Sequence, residues 1–138
     1  MLIQFVVEGT PAPQGSKRHV GNGRLVESSK ALRPWRQAVT ARAIEEMRGK
    51  SAMGGPLELT CVFTFTRPSA HFGKNGLKAS APLHKTTAPD TDKLTRAICD
   101  ALADAGVYRN DAQVARIVAS KIYGTAARAF ISIDEIAS

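Results

Sequence analysis

The stretch Leu57–Phe65, "LELTCVFTF", constrains the fold because an apolar side chain occupies every second position. Neighbouring side chains of a β-strand point to opposite sides, so strict alternation predicts a strand with one buried face. The face expected to be buried carries Leu57, Leu59, Cys61, Phe63 and Phe65, and the opposite face carries Glu58, Thr60, Val62 and Thr64. A second layer of structure must therefore cover the apolar face.

Two amphipathic helices are predicted to form that layer. The first spans residues 30–48, with Ser28 or Ser29 as its N-cap and an apolar stripe of Trp35, Val39, Ala43, Ile44 and Met47. The second spans residues 91–104 and ends at Gly106, and its apolar stripe consists of Leu94, Ala97, Ile98, Ala101 and Leu102.

Three further strands complete the predicted fold, at residues 2–8, 113–123 and 127–135. The element order is then β-α-β-α-β-β in a single domain, residues 1–138. We expect an α+β fold, a two-layer sandwich in which both helices pack on one face of a small mixed, largely antiparallel sheet. In the first loop, "GNG" at residues 21–23 is expected to turn a small hairpin.

Composition limits the classes of protein to consider. The formal net charge is +7, which favours a polyanionic partner such as nucleic acid. No apolar run approaches the roughly 20 residues of a transmembrane helix, and the N-terminus lacks the basic start of a signal peptide. Cys61 and Cys99 have no metal-ligand spacing. Both fall in apolar patterns, which favours two buried thiols over a disulfide, and we expect a reducing cytoplasm.

Two basic segments are candidates for contact with a nucleic-acid backbone. Residues 67–89 form a long segment without acidic residues, which we interpret as a flexible basic loop. Its candidates for DNA binding are Lys74, Lys78 and Lys85, and those of the first loop are Lys17, Arg18 and Arg24. Phe72 is expected either to stack on an unpaired base or to anchor the loop.

Five aspartates lie close together in residues 90–111 of this basic chain. Asp90 and Asp92 precede and begin the second helix, where aspartate is a favoured cap and first-turn residue. Asp111 precedes a returning strand, which could bring it beside the same helix end. Three carboxylates together repel one another unless a cation neutralises them, and oxygen ligands suit Mg²⁺ or Mn²⁺. Capping and metal binding both remain open, whereas Asp100 and Asp104 are expected to be solvated or ion-paired.

The segment "PDTDKLTRAICDALADAGVYRNDAQV", residues 89–114, followed by "IVASKIYG", residues 117–124, resembles the signature of the RusA family of Holliday junction resolvases. The opening "EGTPAPQGSKR", residues 8–18, resembles phage-borne members. The resemblance implies that Asp90, Asp92 and Asp111 are metal-binding catalytic residues.

The chain departs from the family pattern at three positions. Arg96 stands where the family has a lysine, Lys93 where it has an asparagine, and Asn110 where it has the first acid of a pair. Arg96 keeps a positive charge for phosphate but is not expected to transfer protons. Lys93 is interpreted either as a second phosphate contact or as a solvated lysine. Lys121 matches a lysine late in the strand, and contact with phosphate and exposure to solvent are both open.

The resemblance leads us to expect a Mg²⁺-dependent endodeoxyribonuclease, with Mn²⁺ as a substitute, that cuts branched DNA such as four-way junctions. Its catalytic residues would be Asp90, Asp92, Asp111, Arg96 and Lys121. Symmetric cleavage of a junction implies a C2 homodimer. The alternatives are a branched-DNA-binding protein without activity and a small structural protein whose aspartates only cap a helix.

Overall fold

The computed structural model describes residues 1–15, 17–19, 25–27 and 30–137, including all side chains except those of 17–19 and 25–27. The two α-helices are α1, Leu32–Met47, and α2, Thr91–Asp104. The strands are β1, Leu2–Glu8; β2, Lys17–His19; β3, Leu25–Glu27; β4, Leu57–Thr66; β5, Phe72–Gly73; β6, Gly76–Leu77; β7, Val114–Gly124; and β8, Arg128–Glu135.

The main sheet contains four strands in the order β1-β8-β4-β7. Strand β8 pairs antiparallel with both β1 and β4, whereas β4 and β7 run parallel. The sheet is therefore mixed and largely antiparallel, and with its two helices it confirms the predicted α+β fold. The alternating stretch at residues 57–65 lies in β4, which has a strand on each side.

Both helices pack on the sheet face that carries the apolar residues of β4. All five of these residues are buried, and the inward residues of β1 and β8 join them in one core. Helix α1 contacts β1, α2 contacts β7, and the two helices contact each other. The stripe predicted for α2 is buried throughout, and Gly106 follows with a φ of 77°, the left-handed conformation in which glycine ends a helix.

The prediction for α1 was wrong in two details. Ile44 was expected in the buried stripe but is 51% exposed, while Leu32 is buried instead. Ile44 is one residue beyond Ala43, and one residue turns a helix by about 100°, which is enough to leave a narrow stripe. The N-cap is Ala31, without a side-chain capping bond. Ser28 and Ser29 lie outside the described residues.

The basic segment 67–89 contains short elements and contacts the main sheet. A 3-10 turn at Ser69–His71 leads into the antiparallel pair β5 and β6. Farther along, Lys85 N donates to Lys121 O, and Tyr123 N donates to Leu83 O. Residues 83–85 of the segment thus lie along the free edge of β7 at residues 121–123. In the first loop, β2 and β3 pair antiparallel as a hairpin would, but the predicted "GNG" turn and Arg24 lie outside the described residues.

Two further expectations concern the membrane and the cysteines. In the described part of the chain, no helix is long and apolar enough to cross a membrane. Both cysteines are free thiols, as predicted. Cys61 is buried, whereas Cys99 is only half-buried because it faces a pocket.

Candidate active site

A pocket of about 540 Å³ lies between α2 and the edge strand β7. The helix contributes polar residues from its first turns, and β7 contributes an apolar side. The pocket is lined by Thr91, Asp92, Thr95, Arg96, Cys99, Asp111, Ile117 and Ala119. Two of the three aspartates expected in the site therefore share one cavity with Arg96, although they are 19 residues apart in sequence.

Asp90 and Asp92 are placed by the start of α2. Asp90 occupies the N-cap position with extended backbone, yet its side chain makes no capping hydrogen bond. Its carboxylate instead lies 3.7 Å from Lys93 Nζ. Asp92 lies in the first helical turn and accepts a hydrogen bond from the Lys93 backbone N–H. The interpretation that these aspartates only cap the helix therefore does not account for the Asp90 carboxylate.

Asp111 is held by a tightly bonded turn ahead of β7. It begins the 3-10 turn Asp111–Gln113, whose N-cap is Asn110. The Asn110 side chain accepts from Ala112 N at 2.8 Å. Gln113 Oε1 accepts from Arg109 N and Asn110 N, and Gln113 Nε2 donates to Met53 O and Gly55 O. The turn is thereby tied to the segment before β4.

A second link ties this returning chain to α2 itself. Tyr108, which is buried, donates its hydroxyl to Cys99 O at 2.7 Å. Since Cys99 lines the pocket, the link fixes the stretch just before Asp111 against the helix that carries Asp92. Burial is the main cause that raises the pKa of the Cys99 thiol to about 11, and the charges of Asp100 and Asp111 add to it. The thiol is therefore protonated at neutral pH.

Lys121 contacts the segment that leads into α2. Its ammonium donates to Thr87 O and to Pro89 O, both at 2.8 Å, and Pro89 directly precedes Asp90. The side chain lies on the helix-facing side of β7, in the same register row as the buried Phe63. It is therefore half-buried rather than extended into solvent, and its charge faces the start of α2.

The remaining aspartates and basic candidates lie elsewhere. Asp104 Oδ2 is 2.8 Å from Arg36 Nη2, and Asp100 Oδ2 is 4.0 Å from Arg36 Nη1, which confirms that both are ion-paired. Lys74 and Lys78 are exposed near the β5–β6 turn.

Lys85 differs from the other two lysines of its segment. It is half-buried, lies over the rings of Phe65 and Tyr123, and donates to Thr87 Oγ1 at 2.8 Å. Phe72 is 49% exposed, so it does not bury itself as a loop anchor would. Lys17 and Arg18 lie in β2, where only the backbone is described.

The carboxylates are ligands of the type that a hard divalent cation prefers, although the three aspartates are not grouped closely enough in this structure to enclose one. Asp92 and Asp111 present exposed carboxylate oxygens at the pocket, the ligand type that Mg²⁺ and Mn²⁺ prefer. Within the described ranges, no three His, Cys, Asp or Glu side chains are grouped as a metal site. Asp90 is turned toward Lys93, and an exposed pair of this kind contributes only about 0–1 kcal/mol, so little opposes its reorientation.

Sequence reasoning did not identify the residues that hold the site together. Gln113 and Tyr108 received no role, although each ties the Asp111 turn to another part of the fold. A signal for Gln113 was present, because Asn and Gln three residues apart form the pattern of a capping box. Gln14, whose backbone N–H donates to Lys93 O at 2.9 Å, joins the first loop to α2 and had no such signal.

Comparison with known proteins identifies the family. The chain is similar to the uncharacterized protein YqaN of Bacillus subtilis strain 168, with 26% identity over 140 residues, covering 99% of this chain and 98% of the relative. A family model described as endodeoxyribonuclease RusA matches residues 8–134. That match includes the first loop, both helices and the pocket. The chain therefore belongs to the RusA endodeoxyribonuclease family, and membership implies a nuclease that resolves Holliday junctions.

Proposed function

We propose that this protein is a Mg²⁺-dependent endodeoxyribonuclease that resolves four-way junctions and related branched DNA, with Mn²⁺ able to replace Mg²⁺. The observation that carries the proposal is the pocket in which Asp92 and Asp111 converge from separate segments beside Arg96. Family membership supports nuclease activity, and nucleases of this family are generally metal-dependent. Asp90, Asp92 and Asp111 would hold the cation.

Each residue of the site has a separate task in this proposal. A bound Mg²⁺ would polarise a phosphoryl oxygen and lower the pKa of a water. Arg96 neutralises charge on the phosphate with its guanidinium, whose planar group of donors matches phosphate oxygens. Lys93 assists it from the same helical turn. Lys121 acts indirectly. Its hydrogen bonds to the Thr87 and Pro89 carbonyls fix the position of the chain segment that leads to Asp90.

The DNA arms would lie along the two basic segments. Lys74 and Lys78 are exposed in the segment 67–89, where Phe72 is available to stack on an unpaired base. Lys17, Arg18 and Arg24 belong to the first loop, which the Gln14–Lys93 hydrogen bond joins to the start of α2. Lys85 contributes mainly by supporting the segment 67–89. Binding is expected to weaken steeply with salt because it depends on phosphate contacts.

Two copies are needed if the junction is cut symmetrically. A four-way junction has two equivalent strands to cleave, so a C2 homodimer would supply one pocket for each.

Such an enzyme acts where recombining or repaired DNA is found, which is the bacterial cytoplasm. The likeness of residues 8–18 to phage-borne members supports a phage or prophage source.

A branched-DNA-binding protein without nuclease activity is the second candidate. It is favoured by two observations: the Asp90 carboxylate is directed to Lys93, and no group of three metal-binding side chains forms among the described residues. This candidate predicts salt-dependent junction binding without cleavage at any Mg²⁺ concentration.

The deciding experiment measures cleavage of a labelled four-way junction by wild type, Asp92→Asn and Asp111→Asn. Loss of groups that only support metal ligands costs about 10–100-fold, so loss of a ligand should lower the rate at least about 100-fold while junction binding persists. Asp104→Asn is the matched control, since Asp104 pairs with Arg36 away from the pocket. Cleavage by Asp92→Asn at the wild-type rate would refute the proposed site. Absence of wild-type cleavage with either metal would favour the second candidate.

A further inference from the structure

The pocket beside α2 has a charged rim and a neutral interior. Asp92 and Arg96 lie one turn apart on the helix and are both exposed at the rim. Thr91, Thr95 and Cys99 form a second row, which lies about 100° around the helix from the first. We call these three residues the neutral row. Thr95 is buried and the other two are half-buried, and none of the three has a task in the proposed reaction.

Strand β7 closes the neutral side of the pocket with two apolar side chains. Ile117 and Ala119 both line the pocket, and the register pairs them with the buried Leu59 and Cys61, so they lie on the helix-facing side of the sheet. Ile117 is nevertheless 47% exposed, because β7 is an edge strand and opens here onto the pocket. The pocket therefore offers an uncovered apolar surface to an uncharged group.

The pocket is larger than a metal ion and its ligands require. A cation with six oxygen ligands, each counted as a water of about 30 Å³, occupies roughly 200 Å³. The pocket measures about 540 Å³, which falls within the range of about 300–1,000 Å³ for sites that bind small organic molecules. More than half of it therefore remains for a neutral group that is attached to a phosphate at the rim.

We propose that Ile117 and the neutral row bind the unstacked base of the nucleotide next to the scissile phosphate. The inference rests on the proposed function, which places that phosphate beside Arg96 at the rim of the pocket. The group attached to such a phosphate is a nucleoside, and its base is flat and uncharged. Apolar side chains commonly hold a base that has left the stack.

A base site of this kind would contribute to the choice of branched DNA. In a continuous duplex, a base must give up its pairing and stacking before it can enter a pocket, and this opposes binding. The loss is smaller for a base that is already poorly stacked, as at a branch point. The site would therefore favour cleavage at a branch over cleavage within a duplex.

The test compares Ile117→Ala with Val118→Ala in the cleavage of four-way junctions. Val118 is the matched control, because it is the next β-branched residue of β7, is 51% exposed and points to the opposite side of the sheet. Ile117→Ala is expected to lower kcat/KM about tenfold, and Val118→Ala is expected to leave it unchanged. Thermal melting verifies that both variants fold. Wild-type kcat/KM for Ile117→Ala would overturn the inference.

Abasic junctions show whether Ile117 acts through the base. Two junctions are used, each lacking the base on one side of the cut. On one of them, wild-type kcat/KM should fall about tenfold, and Ile117→Ala should cause no further loss, because both changes remove the same contact. Two results would overturn the inference: unchanged wild-type cleavage of both abasic junctions, or the same loss from Ile117→Ala on intact and abasic DNA.

Binding without cleavage separates this inference from the proposed function. A fluorescent adenine analogue at the branch point brightens when it leaves the stack, and it is measured before Mg²⁺ is added. Wild type and Val118→Ala should brighten it, and Ile117→Ala should brighten it less. Brightening that depends on Ile117 in a protein that never cuts DNA would uphold the base site and reject the nuclease. Cleavage by a protein that leaves the analogue dim would reject the base site and uphold the nuclease.

Discussion

Replacing Lys121 with methionine should lower the cleavage rate without weakening DNA binding. The substitution removes two hydrogen bonds of 2.8 Å, to Thr87 O and Pro89 O, just before Asp90. A hydrogen bond from a charged group is worth about 1.5–3 kcal/mol, but water can reach these carbonyls, so the free energy of unfolding should fall by only about 1–2 kcal/mol. Misplacing a catalytic group by about 1 Å costs up to about 100-fold, and we expect kcat to fall about 10–100-fold.

The assay separates positioning from phosphate contact through salt dependence. Junction binding is measured without divalent metal at several salt concentrations, and kcat is measured against Mg²⁺ concentration. Lys121→Met should keep the wild-type slope of log K against log [salt] and need more Mg²⁺ for half-maximal rate. Lys121→Arg should recover part of kcat, because a guanidinium can reach both carbonyls.

Lys74→Met is the control for phosphate contact, since Lys74 is exposed beside β5. Its slope should become shallower by about 0.9, the change expected for one lost phosphate contact. The reasoning about Lys121 is refuted if Lys121→Met shows that same change in slope while its kcat and Mg²⁺ requirement stay at wild-type values. Lys121 would then be a phosphate contact.

Three other predictions concern the frame around the pocket. Gln113→Ala breaks four hydrogen bonds to the backbone and should lower the free energy of unfolding by about 2–3 kcal/mol in urea titrations; an unchanged midpoint would contradict it. Tyr108→Phe leaves Cys99 O without its 2.7 Å donor and should cost about 1 kcal/mol while reducing cleavage, with Tyr123→Phe as control. Because the pKa of Cys99 is raised from 9.0 to about 11, the folded chain keeps a proton that the unfolded chain loses. Stability should therefore fall between these pH values, and less so in Cys99→Ala; equal slopes would refute this.

Most of the fold could be predicted because its elements are strongly patterned. Strict alternation in residues 57–65 and helical spacing in residues 91–104 each reflect one buried face. The predicted ends of both elements lie within one residue of those observed. The prediction was less accurate for α1. Its buried face is already spanned by Trp35, Val39, Ala43 and Met47, which lie four residues apart along the helix. Adding Ile44 made the stripe wider than the surface that α1 actually covers.

The site was predictable in residue type but not in its supporting bonds. Periodicity and charge placed Asp92 and Asp111 at neighbouring ends of α2 and β7, and the structure brings both to one pocket. The role of Lys121 depends on where a side chain of β7 meets the segment before α2, and that meeting is set by tertiary packing. A lysine in a strand has the same local pattern whether its ammonium contacts carbonyls, phosphate or water. The orientation of the Asp90 carboxylate toward Lys93 could not be predicted from the sequence for the same reason.

The three departures from the family pattern are each compatible with an active site when their contacts are considered. Asn110, in place of an acid, caps the Asp111 turn through its side-chain oxygen, a task that Asn and Asp perform about equally well. The neutral residue also avoids a second negative charge beside Asp111. Arg96 lines the pocket with Asp92, so the positive charge of the replaced lysine is retained where phosphate would bind. Lys93 places a further positive charge 3.7 Å from Asp90, and a cation that recruits Asp90 must compete with it. Of the three changes, the one at Lys93 is therefore the one expected to raise the metal concentration that cleavage requires, and Lys93→Asn should lower it.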